Sequence, residues 1–110
     1  MRSRAQDGLV SFGLGDWYDI GPKPLGVSQL TSLGVTGTLM LYEDAVAMRK
    51  IASLLGKSDD AAKYAALASS EKAAFNAKYF DAEKGYYDQG SQTAQAMALA
   101  LGIVFLIASA

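Results

Sequence analysis

Residues 30–110 predict an all-α protein built of helical hairpins. Three observations carry this. Apolar residues recur in steps of three and four from Leu30 to Leu55, as they do along one face of a helix. A second helical run, from Asp59 to Phe80, follows after about three residues, so the two helices must run antiparallel. No stretch reads as strand-rich.

The elements follow in chain order. Residues 1–29 hold both prolines and the glycine-spaced stretch GLGDWYDIGPKPLG, and are expected to be an irregular loop. In the first helix, Leu30, Leu33, Gly37, Leu41, Ala45, Met48, Ile51 and Leu55 define the expected buried face. Met40 and Met48 are expected in the core. Asp44 lies near the same face, where a carboxylate needs hydrogen-bond partners. Gly34, Thr36, Gly37 and Thr38 are poor helix formers, and their small size lets a neighbouring helix approach. Gly56 is placed for a left-handed C-cap. Ser58 is placed for an N-cap, with Asp59 and Asp60 at the positive end of the next helix dipole.

The second helix sets Tyr64, Ala68, Phe75 and Tyr79 near one face. Residues 81–85 form a turn, with Gly85 at a positive-φ position. Tyr86 and Tyr87 begin a short extended segment and are expected to pack on that turn. Ser91 or Thr93 caps a third helix. The expected organisation is a loop over 1–29, an αα-hairpin over 30–80, and a turn with the first helix of a next hairpin over 81–110. Hairpins linked in this way build bundles, solenoids or α/α barrels.

Composition narrows the chemistry. The chain is 51% hydrophobic, too apolar for intrinsic disorder. Ten basic residues face eleven acidic ones, a balance that offers nothing to nucleic acid. With no cysteine and no histidine, disulfides, thiolate or imidazole metal sites and histidine-based triads are excluded. No metal or other cofactor is expected. Acid–base chemistry is left to Asp, Glu, Lys or Tyr. The opening MRSRAQDGLVSFG lacks an apolar run behind its basic residues and is not a secretory signal. Residues 94–110 are nearly all apolar. They are short for a membrane span, are broken by Gln95 and Gly102, and lack interfacial anchors. A helix buried within a larger domain is the expectation there.

Three stretches carry a family resemblance: GLGDWYDIGPKPLGVSQLTSLGVT, KIASLLGKSDDAAKYAALA and AAFNAKYFDAEKGYYDQGSQTAQAMALALGIV. They resemble the catalytic domain of bacterial α-L-rhamnosidases, glycoside hydrolase family 78. The most specific pieces are Gly15-Asp16-Trp17 and GSQTAQA at residues 90–96. The resemblance implies part of an (α/α)₆ six-hairpin barrel, several times longer when complete. It also implies removal of terminal α-L-rhamnose by inversion, with one carboxylic general acid and one carboxylate general base. In the family these lie upstream of the Gly-Asp-Trp loop and downstream of the GSQTA segment. No residue of this chain inherits either role. After Val104 such proteins usually leave the helix through polar or proline-containing sequence, whereas residues 105–110, FLIASA, stay apolar. A truncation or a shifted reading frame would explain that end.

Among individual residues, Asp16 and Trp17 are the candidate substrate-binding pair. Sugars offer flat C–H faces and hydroxyl groups, so an aromatic platform beside a carboxylate suits them. By resemblance the loop lines the subsite for rhamnose. The competing reading has Trp17 plug a gap between hairpins and Asp16 accept backbone N–H bonds. Asp16 and Asp19, three apart on one loop, cannot flank a glycosidic bond from opposite sides, so Asp19 is expected to form the turn. Gln92 and Thr93 are expected to serve capping rather than sugar contact. The expected partner is a rhamnose-containing glycoside. The other functional class is a small helical module without activity, whose apolar faces pair with copies of itself.

Overall fold

Three α-helices, α1 (Leu33–Leu54), α2 (Ser58–Tyr79) and α3 (Gln92–Ala100), organise the computed structural model, which describes residues 2–104. A two-stranded antiparallel hairpin, β1 (Phe80–Asp81) and β2 (Tyr86–Tyr87), links α2 to α3 with Phe80 opposite Tyr87. The fold class is thus the predicted one. Among the described residues no helix is long and apolar enough to cross a membrane.

The α1–α2 connection follows from Gly56. Its φ of +70° places it in the left-handed region, and two bonds close a Schellman motif around it: Gly56 N–H to Ser53 O at 3.1 Å and Lys57 N–H to Ala52 O at 2.9 Å. The next start differs from expectation. Ser58 is the first helical residue and Lys57 occupies the N-cap, without a side-chain cap. Asp59 and Asp60 do fall in the first turn, where the helix dipole favours them.

The helices pack antiparallel, the end of α2 against the start of α1. Tyr79 lies directly over Gly34, where a Cβ would collide with its hydroxyl. At Gly37 the close neighbour is the N-terminal segment, not a helix. A Cβ there would lie 2.7 Å from Val10 O, and Val10 N–H donates to the buried Thr38 Oγ1 at 2.9 Å. The core gathers Val35, Leu39, Phe75, Tyr79, Tyr87, Ala94, Ala98 and Ile103. Phe75 sits between Tyr79 and Tyr87, with ring centroids at 5.1 and 5.5 Å. Each large apolar side chain buried here contributes about 1.5–3 kcal/mol. Tyr87 O–H donates to Asn76 Oδ1 at 2.5 Å, so its polar end is satisfied inside this cluster.

Three expectations for the helices are corrected. The expected face of α1 holds at Gly37, Leu41 and Ala45, with Val35, Thr38, Leu39 and Ala52 also buried, whereas Leu30, Met40, Met48, Ile51, Leu54 and Leu55 are exposed. Glu43 and Asp44 point to solvent, so Asp44 needs no buried partner. The third helix stops at Ala100. Gly102 (φ +67°) ends it with a second Schellman pair, Gly102 N–H donating to Leu99 O and Ile103 N–H to Ala98 O. Of the predicted apolar helix over 94–110, residues 94–100 are helical and 101–104 are not, and residues 105–110 lie outside the described residues.

Candidate functional site

Glycines and internal hydrogen bonds shape the loop before α1. Gly15 has a φ of +70°, and a Cβ there would come within 2.5 Å of Ser28 Cβ, so only glycine fits that crossing. Tyr18 N–H donates to Gly26 O at 2.8 Å and Ser28 N–H to Leu14 O at 3.3 Å, which ties the two arms together. Gln29 braces the tip. Its Oε1 accepts from Lys23 N–H at 2.6 Å and its Nε2 donates to Lys23 O at 3.0 Å. The result is a compact loop packed on its own side chains.

Asp19 is the turn former the sequence predicts. Both of its oxygens accept from Gln29 N–H, at 3.0 and 2.9 Å, and Oδ2 also accepts from Leu30 N–H at 2.8 Å. A carboxylate so occupied is a structural clamp.

Residues 16–19 form a tight turn, Asp19 N–H donating to Asp16 O at 3.3 Å. Tyr18, third in this turn, has a φ of +67°. Glycine or asparagine usually fills such a position, and a bulky residue there is strained by about 1–3 kcal/mol. The Tyr18 ring stands beside Trp17. The two rings lie 5.3 Å apart at 58° and are 56% and 50% exposed. Trp17 therefore does not plug a gap within the described fold. Sequence reasoning passed over Tyr18, and the turn register around DWYD was the signal for it.

Asp16 reaches a distant element. Its Oδ2 accepts from Thr93 Oγ1 at 2.6 Å, which joins the Gly-Asp-Trp loop to the GSQTA segment across 77 residues. Oδ1 has no hydrogen-bond partner among the described residues. Thr93 is thus not a cap. Ser91 caps α3, its Oγ accepting from Ala94 N–H at 3.2 Å, and Gln92 is exposed. Two further bonds hold the same corner. Thr31 Oγ1 and Ser91 Oγ lie 2.6 Å apart, and Asp88 accepts from Ser32 N–H at 2.8 Å and Ser32 Oγ at 2.6 Å. The starts of α1 and α3 are therefore fastened side by side, with Asp16, Trp17 and Tyr18 on the loop before them.

Tyr86 and Tyr87 take no part in this corner. Tyr86 is half-buried on the β-hairpin, whereas Tyr87 packs in the core against Phe75 and Phe80 rather than on the turn. A polar groove lined by Ser32, Lys78, Tyr79, Asp81 and Asp88 and an apolar one lined by Lys72, Ala73, Asn76, Ala77 and Phe80 hold neither Asp16 nor Trp17. No group of three or more acidic side chains among the described residues could hold a metal ion.

Comparison with known proteins gives three findings. The family model of the bacterial alpha-L-rhamnosidase six-hairpin glycosidase domain matches residues 1–107, a span that includes Phe105, Leu106 and Ile107. The solved structure of the alpha-L-rhamnosidase from Dictyoglumus thermophilum superposes with a TM-score of 0.84 at 34% identity. That match covers 94% of this chain and 12% of the other. No curated protein matches the sequence.

Proposed function

The chain belongs to the bacterial α-L-rhamnosidase six-hairpin glycosidase domain family, and from that membership we propose that it forms part of a glycoside hydrolase that removes terminal α-L-rhamnose from glycosides. The observation that carries this is the corner itself: an exposed Trp17–Tyr18 pair beside a carboxylate held by one oxygen and open at the other. The C–H face of the sugar lies on the Trp17 ring, and a sugar hydroxyl donates to Asp16 Oδ1.

Inverting hydrolysis needs a protonated carboxyl on one side of the bond and a water-activating carboxylate on the other, about 6.5–9.5 Å apart. Asp19 is consumed by backbone bonds and Asp16 is engaged to Thr93. In this reading the chain binds sugar while the rest of a longer polypeptide supplies acid and base. The chain alone is expected not to hydrolyse an aryl α-L-rhamnoside. Turnover above that of heat-treated protein would refute the assignment of roles.

A second reading has one observation in its favour. Met40, Met48, Ile51, Leu54 and Leu55 form a stripe along α1, with Leu54 87% and Leu55 66% exposed. A face of this kind favours self-association of the chain. Size-exclusion chromatography with light scattering tests it, and a clean monomer at high concentration would count against it.

A further inference from the structure

We propose that Thr93 is a positioning residue of the sugar site: its hydroxyl holds Oδ2 of Asp16 so that Oδ1 faces a ligand beside Trp17. This rests on the sugar-binding reading of Asp16 and Trp17. Three features support it. Ser91 already caps α3, which releases the Thr93 hydroxyl from local duty. The helix start that carries Thr93 is anchored to α1 through Thr31–Ser91 and Ser32–Asp88. The β-branched Thr93 has few rotamers, so its Oγ1 is a fixed donor on a fixed base.

The loop lacks any comparable tether. Among the described residues, the side-chain bonds of Asp19 and of Lys23 with Gln29 stay within residues 19–30. Among the described residues, Asp16–Thr93 is the single side-chain hydrogen bond that ties residues 13–27 to a helix. It therefore sets where the Asp16 carboxylate, and with it the adjoining Trp17, stands relative to α3. Its loss frees the carboxylate to turn away from the ligand, and binding should weaken by about tenfold.

Trp17 is the only tryptophan in the chain, so fluorescence reports on this loop alone. L-rhamnose is titrated into the wild type, Thr93→Val, Thr93→Ser and Asp16→Asn, and Trp17 anisotropy is measured without sugar. Circular dichroism checks helix content. Thr93→Val should lose about tenfold in affinity and show lower anisotropy, with both restored by Thr93→Ser. Asp16→Asn keeps an acceptor for Thr93, so anisotropy should hold while affinity falls; this arm carries the test if Thr93→Val does not fold. Wild-type affinity and anisotropy in Thr93→Val, or loss of anisotropy in Asp16→Asn, would overturn the proposal. No wild-type response to rhamnose would overturn the sugar reading instead, and the sugar-free anisotropy would still decide whether Thr93 holds the loop.

Discussion

Replacing Gly34 with alanine sets two effects of known sign against each other. Glycine inside a helix costs about 1 kcal/mol relative to alanine, so Gly34→Ala at an exposed site of α1 would stabilise. Here the added Cβ would overlap the Tyr79 hydroxyl and lie 3.0 Å from its Cζ. Tyr79 cannot swing aside freely, because its ring packs on Phe75 at 5.1 Å within the buried cluster. Overpacking of this kind costs about 1–3 kcal/mol and occasionally more. The expected net is a loss of up to about 2 kcal/mol, a fall in Tm of up to roughly 15 °C for a domain of this size. Thermal and urea melts followed by circular dichroism measure it. In a Tyr79→Phe background the hydroxyl is gone, and the added penalty of Gly34→Ala should shrink by at least half. A Gly34→Ala variant more stable than the wild type, or an equal penalty in both backgrounds, would refute the role assigned to this contact.

Other expectations follow from the same geometry. Gly56→Ala meets no atom within 4 Å, so its cost should be the left-handed strain alone, about 1–2 kcal/mol in a urea melt. Asp19→Ala removes the acceptor for Gln29 and Leu30 N–H and should loosen the loop, seen as faster proteolysis within residues 13–31 while melting of the helices shifts little. Burial first, and the negative charge of Asp88 second, raise the Tyr79 pKa above its usual 10. The unfolded chain therefore loses this proton first. The stability it confers is fully present below about pH 10 and declines as pH rises above that towards the folded-state pKa. Absorbance at 295 nm should show one tyrosine ionising late, a component absent from Tyr79→Phe.

Much of the helical architecture was legible because its signals are local. Gly56, the acidic first turn of α2, the Gly85 turn and the Ser91 cap depend on a few neighbouring residues; the Ser58 register slipped by one position, α1 starts at Leu33 rather than Leu30, and Gln92 and Thr93 do not cap. The inward face of α1 was misread for a different reason. Periodicity identifies an apolar stripe but not which surface covers it. The N-terminal segment covers the upper part of α1 at Gly37 and Thr38, and α2 packs along the helix beside it. Met40, Met48 and Ile51 are as apolar as core residues and are nonetheless exposed. In α3 the Gly102 break noted in the sequence is where the helix ends, whereas Gln95 lies inside it.

The site divides along the same line. Asp16 and Trp17 stood out because acidic and aromatic residues between glycines are unusual, and a single residue type is visible without a fold. Their geometry depended on Thr93, which a local reading assigns to a helix cap. Two hydroxyl-bearing residues, Ser91 and Thr93, compete at the start of α3, and Ser91 takes the cap, its backbone being extended there (φ −63°, ψ 152°). That leaves Thr93, two residues on, facing the loop. The two motifs that carry the family resemblance, Gly15-Asp16-Trp17 and GSQTAQA, are thus the two ends of one hydrogen bond. Their separation of 77 residues closes only when the hairpin between them folds. The α1–α2 pair is therefore more than a spacer. It brings the starts of α1 and α3 into register, so a change in hairpin packing at Gly34 or Tyr79 should move Trp17 as well as the melting curve.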